Sequence, residues 1–411
     1  MKRWGSNIPR SGSYSEKRGE NETERGTNMR PMRLLLFILV LLLVVGFPLS
    51  LPAAEKPGAV RIGVYLPMTG PMAAQGQAEY AGIKVAHTMK PAVLGTKVEL
   101  FLVDTAAENI GTAGAAERLI KEHKVHALIG ELSGDDPLGG IALAEGVGKP
   151  TVIPSTQSPA IKDKRYAFHI GLTNTLQGEA AARYAYSRLK TVKAALFMNI
   201  ERDYSIDLAN IFTRNFTGAG GKIVTIAYFR TGDSDFTTQL SSIMAAKPDV
   251  LYLPVSYLEV ARICRQSVDM GINIHIISST DAHAPGLITA GGEYVEGVIL
   301  TSDFAREGAP ADVATAYRDA YEKETGAQVG RFDVLGADAY FLLIDTVQRA
   351  RSTAGSKMRE TLSNTKGFEG ISGVMDMDRG GNAVKGAVML QIKGDEFRYL
   401  ETLPPGKEPG Q

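Results

Sequence analysis

Two short loops carry most of the groups in this sequence that could bind or transform a small molecule. The first covers residues 132–135 (LSGD) and the second covers residues 155–158 (STQS). Each follows a short apolar run, and hydroxyl and backbone N–H groups at such a point can donate hydrogen bonds to a polar ligand. Because Gly, Ser and Pro also form ordinary turns, the loops alone leave ligand binding and plain turn formation both open.

Catalytic motifs are incomplete in this sequence. No predicted strand is followed by a GxGxxG dinucleotide fingerprint, and no GxxxxGK[ST] phosphate loop occurs. Residues 130–134 (GELSG) are one residue off the GxSxG nucleophile elbow. We therefore predict no enzymatic activity and no cofactor. The rival is an exported enzyme that uses Ser133 or the pair Asp281 and His283.

Composition excludes several classes of protein. The 411 residues contain 45 basic and 45 acidic side chains, whereas a nucleic-acid-binding protein normally has a basic excess. The single cysteine, Cys264, excludes an intramolecular disulfide, and its helical surroundings predict a buried apolar side chain. His123 and His126 straddle a predicted helix end and strand start, so they would not share a face. We predict no nucleic-acid partner and no metal site.

The N-terminal residues 1–54 predict a polar leader followed by a signal peptide. A basic pair precedes the apolar run 34–45, and small residues follow up to Ala54. A glycine and a proline interrupt the run before it reaches the roughly 20 residues that a membrane-spanning helix needs. We expect cleavage after Ala53 or Ala54 and a periplasmic or secreted protein, with an uncleaved anchor as the alternative.

The rest of the chain alternates between strands and helices, which predicts an α/β fold with parallel sheets. The first series has predicted strands at 59–66, 97–104, 127–130 and 150–154. The second has predicted strands at 193–199, 222–228, 249–254, 273–278 and 295–301. Two such units, together about 240 residues, exceed what one sheet usually needs and suggest two facing lobes. The two polar loops then lie at the carboxyl ends of neighbouring strands.

The C-terminal part differs in kind. Helices are predicted at 310–324, 334–351 and 357–363, and short strands at 373–377, 386–392 and 397–403. Extended segments after a completed second unit suggest a chain that crosses back between the lobes. We expect residues 404–411 to be a disordered tail.

An ordered set of motifs resembles one family. They are residues 62–71 (IGVYLPMTGP), 128–134, 154–159, 230–236 (RTGDSDF), 332–339 (FDVLGADA) and 371–387. Together they resemble type I periplasmic solute-binding proteins, in particular the Leu/Ile/Val-binding branch that serves amino-acid ABC importers. The resemblance spans about residues 59–400.

The resemblance implies two Rossmann-like lobes with parallel sheets, joined by three hinge crossings, and a ligand between them. The expected hinges lie near residues 172–176, 300–305 and 368–375. Lobe 1 would then contain residues 59–174 and 303–370, and lobe 2 would contain residues 175–302 and 371–403.

The same resemblance assigns ligand-binding residues. Lobe 1 hydroxyls and N–H groups would hold the ligand's α-carboxylate, an acidic residue of lobe 2 would meet its ammonium, and aromatic residues would cover it. A buried zwitterion needs such partners, since each unpaired charge costs several kcal/mol. The implied residues are Ser133, Gly134, Ser155, Thr156 and Gln157 for the carboxylate, Asp281 for the ammonium, Tyr204 and Tyr257 as covers, and Gln75 and Phe332 as further lining groups.

Several residues depart from the family pattern. Gly134 replaces a common hydroxyl, Gln157 a common threonine and Gln75 a common aromatic residue. Asp135 and Asp136 could cap a helix before a proline, or could serve a ligand with a second cation. Ligand identity therefore stays open.

The function implied is that of a monomeric, extracytoplasmic solute-binding protein. It would deliver a small amino-acid-like ligand to the membrane permease of an ABC importer. A ligand-sensing receptor component with the same fold is one alternative, and binding of another small carboxylate or amide is the other.

Overall fold

Two helix-flanked sheets organise the residues described by the computed structural model, namely 58–106, 111–132, 139–155, 161, 163–308 and 311–406. Within these ranges there are a six-stranded sheet, a seven-stranded sheet and a small three-stranded sheet. The leader and signal peptide predicted at 1–54 lie outside the described residues. None of the helices in the described ranges has the length and apolarity to cross a membrane.

The first sheet has the strand order β2-β3-β1-β4-β5-β6 and is parallel except for the edge pair β2–β3. Its elements and helices are β1 (Val60–Leu66), α1 (Ala73–Met89), β2 (Ala92–Val93), β3 (Thr96–Asp104), α2 (Gly111–Lys121), β4 (Ala127–Ile129), α3 (Gly139–Gly146), β5 (Thr151–Ile153) and β6 (Ala167–His169). Strands β4, β5 and β6 are buried at every position, as expected for a parallel sheet covered on both faces.

The second sheet has the strand order β16-β15-β11-β10-β9-β7-β8. Its elements and helices are α4 (Asn174–Arg183), β7 (Lys193–Asn199), α5 (Asp203–Gly218), β8 (Lys222–Phe229), α6 (Thr237–Ala246), β9 (Val250–Leu253), α7 (Tyr257–Asp269), β10 (His275–Ser278), α8 (Pro285–Gly291), β11 (Ile299–Ser302), β15 (Ala387–Lys393) and β16 (Glu396–Leu403). Strands β15 and β16 join antiparallel to the parallel part. Two lobes with parallel sheets confirm the predicted α/β fold class.

The segment between β11 and β15, which are both strands of the second sheet, belongs to the first lobe. It contains α9 (Ala311–Thr325), α10 (Arg331–Ala350), α11 (Gly355–Ser363), β12 (Phe368–Gly370), β13 (Gly373–Met377) and β14 (Ala383–Lys385). Buried side chains of α9, α10, β13 and β14 share one core with β1 and β4.

The third crossing lies later in the chain than the sequence predicts. Residues 371–385 were expected in the second lobe, but Ile371, Met375 and Met377 are buried in the first-lobe core, and His169 forms an isolated parallel bridge with Asn382. The chain leaves the first lobe only between β14 and β15. The reason is that the β13–β14 hairpin buries its apolar side against the first lobe before the chain crosses.

Helices α1 and α10 approach each other closely through glycines. A Cβ at Gly82 would lie 1.8 Å from the backbone oxygen of Asp333, and a Cβ at Gly336 would lie 2.1 Å from that of Glu79. Both positions therefore need a residue without a side chain. This contact fixes the start of α10 against the face of α1 that carries Glu79.

We expect Gly82→Ala to destabilise the protein by roughly 2 kcal/mol or more, because the new methyl group overlaps backbone that cannot move cheaply. The matched control is Gly218→Ala at the end of α5, where an added Cβ meets nothing within 4 Å. Chemical denaturation of both variants measures the effect. A Gly82→Ala variant as stable as the control would contradict the close approach.

Candidate functional site

The candidate site lies at the carboxyl ends of the parallel strands, where loops from both lobes carry polar side chains. In an open α/β sheet this edge is where ligands bind. In the first lobe Ser155 follows β5, and in the second lobe Tyr204 follows β7 and Asp281 follows β10. These are three of the residues predicted to bind the ligand.

The first-lobe side of the site is built on one face of α1. Gln75 and Glu79 are four residues apart and therefore lie on the same helical face. The hydroxyl of Ser155 donates a hydrogen bond to Oε1 of Glu79. Among the described residues, Glu79 Oε2 and Gln75 Oε1 are buried and have no hydrogen-bond partner. The face thus presents two oxygen atoms that a ligand could pair.

Glu79 is a protonated acid at neutral pH. Its side chain is fully buried, and burial raises its pKa to about 8, although the Ser155 hydrogen bond and the charge of Arg331 lower it. The carboxylic acid keeps a proton that it could donate to an anionic ligand group. Sequence reasoning missed Glu79 because a single acidic residue in a helix has no signature of burial.

Tyr204 is the centre of the second-lobe side. Its hydroxyl donates to Gln177 Oε1 at 3.0 Å and lies 3.1 Å from Thr280 Oγ1. Burial raises its pKa, so the phenol stays neutral. The loop before it is fixed because the N–H of Asn199 donates to Ser205 Oγ at 3.1 Å. These contacts join the loops after β7 and β10 to the start of α4.

Asp281 forms an ion pair that the sequence did not reveal. Its Oδ2 accepts a hydrogen bond from Arg202 Nη2 at 2.9 Å, and both side chains are about one-third exposed. The guanidinium of Arg202 also lies 5.9 Å from the centre of the Tyr204 ring. A ligand ammonium at Asp281 would therefore share the carboxylate with Arg202. A carboxylate can do this, since its two oxygens offer about four acceptor positions.

Tyr257 and Phe332 are held by their own neighbours. Tyr257 begins α7, directly after Ser256, whose side chain accepts the N–H of Glu259 in a capping box. The Tyr257 ring packs so closely on Gly286 that a Cβ there would lie 2.6 Å from it. The Phe332 ring lies 4.7 Å from the guanidinium of Arg331. Neither ring is joined to Tyr204 or Asp281 by these contacts.

Four predicted site residues, Ser133, Gly134, Thr156 and Gln157, lie outside the described residues. The same holds for Asp135 and Asp136. Their assignment to the ligand carboxylate stays a prediction.

The rival catalytic pair is not assembled. His283 Nδ1 lies 2.7 Å from Ser302 Oγ, while Asp281 is bound to Arg202. Burial lowers the pKa of His283 to about 3, so the ring is neutral at physiological pH. Its edge-on contact with Phe397 fixes it in the second-lobe core.

A buried charge cluster links the three crossings next to this site. Asp303, at the second crossing, accepts the N–H of Leu172 at the first crossing. Its Oδ2 also accepts Arg331 Nε at 2.6 Å, and its Oδ1 lies 3.8 Å from Nζ of Lys385, at the third crossing. Burial raises the pKa of Asp303, but the two cations lower it to about 2. We call Asp303, Arg331 and Lys385 the crossing cluster.

Comparisons with known proteins agree with this architecture. A family model described as periplasmic binding protein matches residues 59–396. A leucine-, isoleucine-, valine-, threonine- and alanine-binding protein of Pseudomonas aeruginosa is 23% identical over 346 residues, which are 82% of this chain and 90% of that protein.

Two solved structures are similar over nearly their whole length. A leucine-binding protein from Thermotoga maritima is 36% identical with a TM-score of 0.76, covering 84% of this chain and 99% of that one. A branched-chain amino acid transporter substrate-binding protein from Streptococcus pneumoniae, in complex with isoleucine, is 25% identical with a TM-score of 0.74. It covers 84% of this chain and 100% of that one.

The raised pKa of Glu79 predicts a pH-dependent stability. Between its usual value and about 8, the folded state holds a proton that the unfolded state loses, so stability falls as pH rises. Glu79→Gln keeps an oxygen that can accept the Ser155 hydrogen bond, and because glutamine does not titrate, the variant should not lose stability in this way as the pH rises. We expect the variant to gain about 3 kcal/mol of stability relative to wild type between pH 5 and pH 8.

Denaturant titrations at several pH values measure that difference. Glu122→Gln is the control, because the Glu122 side chain is 61% exposed. If the free energies of unfolding of wild type and Glu79→Gln changed in parallel from pH 5 to pH 8, Glu79 would not be a buried, protonated acid.

Proposed function

The chain belongs to the periplasmic binding protein family, and on that premise we propose that it binds a small amino-acid-like ligand between its lobes. It delivers this ligand, chemically unchanged, to the membrane permease of an ABC importer. It acts outside the cytoplasm as a monomer, after removal of the predicted signal peptide. The names of the Pseudomonas and Thermotoga relatives support an amino acid as the cargo.

One observation supports the proposal most strongly: in both lobes, polar residues lie at the carboxyl ends of the parallel strands. Ser155, Gln75 and Glu79 stand on the first lobe, and Tyr204 and Asp281 stand on the second. A ligand that contacts both groups favours the state in which the lobes are close, because it binds that state better. No covalent chemistry is needed for capture and release.

An amino acid fits this distribution of groups. Its α-carboxylate would take donors from the backbone N–H of Ser155, whose hydroxyl already donates to Glu79, and from Ser133, Gly134, Thr156 and Gln157. Its ammonium would share Asp281 with Arg202. The side chain would lie near Tyr204, Tyr257, Gln75 and Phe332. Hydrogen bonds to charged groups, each worth about 1.5–3 kcal/mol, would provide most of the selectivity.

A thermal-shift screen of the purified protein against amino acids, their amides and small carboxylates tests the proposal. A ligand at 100 times its Kd stabilises the folded protein by about 2.7 kcal/mol, which raises Tm measurably. We expect an amino acid to give the largest shift. Mass spectrometry after incubation should recover it intact. A shift only with sugars, or conversion of the ligand to a product, would overturn the proposal.

Asp281→Asn tests the ammonium site. It should weaken an amino-acid ligand by about 10- to 100-fold, since it removes the negative charge while keeping the shape. Isothermal titration measures the change. Asp269→Asn, an exposed carboxylate at the end of α7, should leave affinity unchanged. Equal affinities for all three proteins would exclude Asp281 from the role.

A further inference from the structure

Arg331 is a nearly buried cation between the two lobes that no step so far has used for binding. It is the first residue of α10, its side chain is 10% exposed, and its Nε donates to Asp303 at 2.6 Å. The Phe332 ring lies 4.7 Å from its guanidinium. The side chain is therefore fixed in position before any ligand arrives.

Most of the donors of Arg331 are unused. An arginine has five N–H groups, and only the one on Nε is hydrogen-bonded to Asp303. Among the residues that the structure describes, Nη1 and Nη2 have no acceptor. These two nitrogens form a fork that matches a carboxylate.

Asp303 does not fully compensate Arg331, because it has other partners. The same carboxylate accepts the N–H of Leu172 and lies 3.8 Å from Lys385 Nζ. Lys385 is also near Asp338, whose oxygens accept the N–H groups of Ile371 and Ser372. The single carboxylate of Asp303 is thus shared by one N–H group and two cations.

Groups of both lobes lie within electrostatic reach of the guanidinium. Burial raises the pKa of Glu79 and lowers that of His169 on the first lobe, and the charge of Arg331 opposes the first shift and adds to the second. Burial opposes the charged form of Arg331, but Asp303, with Tyr204 and Asp281 of the second lobe, raises its pKa. Arg331 hence lies within electrostatic reach of both walls of the candidate site.

We propose that Arg331 determines specificity by binding a carboxylate group of the ligand through Nη1 and Nη2. The inference rests on the proposed function, since it takes the ligand to lie between the lobes. The carboxylate is either the α-carboxylate of an amino acid or the second carboxylate of an acidic ligand. Leu/Ile/Val side chains alone would give this guanidinium no partner.

Matched acid and amide ligands test the proposal by isothermal titration. The pairs are glutamate with glutamine, leucine with leucinamide, and benzoate with benzamide. Each is measured on wild type, Arg331→Gln, Arg331→Lys and the control Arg306→Gln, whose side chain is half exposed and paired with Glu322. Circular dichroism first establishes which variants are folded.

We expect Arg331→Gln to weaken binding of the acid ligand by about 10- to 100-fold and to change the affinity for the matching amide by no more than about 3-fold. A double-mutant cycle isolates this difference. Arg331→Lys keeps the positive charge but cannot make two parallel hydrogen bonds to a carboxylate, so its affinity for the acid should lie between those of wild type and Arg331→Gln. If Arg331→Gln does not fold, Arg331→Lys is compared with wild type instead. Arg306→Gln should match wild type. An effect on leucine identifies the α-carboxylate, and an effect confined to glutamate identifies a second carboxylate.

Equal losses for acid and amide would make Arg331 a structural residue and overturn the inference while leaving the proposed function standing. If wild type binds only ligands without a carboxylate, the inference fails, and the amino-acid cargo of the proposed function fails with it. If wild type binds no small ligand at all, the proposed function fails first, and the inference fails with it.

Discussion

The buried carboxylate of Asp303 is the interaction on which the two-lobed arrangement depends. Asp303 lies on the second crossing and contacts the other two through the N–H of Leu172 and the ammonium of Lys385. It also pairs with the guanidinium of Arg331 on α10 of the first lobe. Burying these charges is favourable only as a set, because removal of one partner leaves the others uncompensated. The crossing cluster therefore holds the three crossings in one register and gives both lobes a common fixed point.

The proposed ligand site and the crossing cluster share Arg331, and this would link ligand binding to the relative position of the lobes. Arg331 donates to Asp303 through Nε and lies within electrostatic reach of Tyr204 and Asp281 on the second lobe. Potential ligand partners lie on both lobes and differ in charge. They are Glu79 and Ser155 on the first lobe and Tyr204 and Asp281 on the second. A ligand that pairs these groups changes the energy of the state in which they are close, which is how a small molecule can shift a two-lobed protein.

Much of the fold could be predicted, because a buried parallel strand appears in the sequence as a continuous apolar run with turn residues at both ends. Strand Lys193–Asn199 was predicted at its observed bounds. Strand Ala167–His169 and helix Pro285–Gly291 were missed, because three and seven residues carry too little periodicity. The candidate site was predictable only in part. The family resemblance pointed to Tyr204 and Asp281, which lie just after β7 and β10, and their part in ligand binding stays a prediction. Arg202, Glu79 and the crossing cluster were missed, since Asp303 and Leu172 are 131 residues apart and nothing local marks their pairing.

Small-angle X-ray scattering with and without a saturating bound ligand tests most directly that the ligand binds between the lobes and brings them together. The radius of gyration should fall on addition of ligand, and the fall should follow the same concentration dependence as binding measured by calorimetry. A scattering curve that is unchanged at saturation, with binding established in the same sample, would contradict capture by closure of the two lobes.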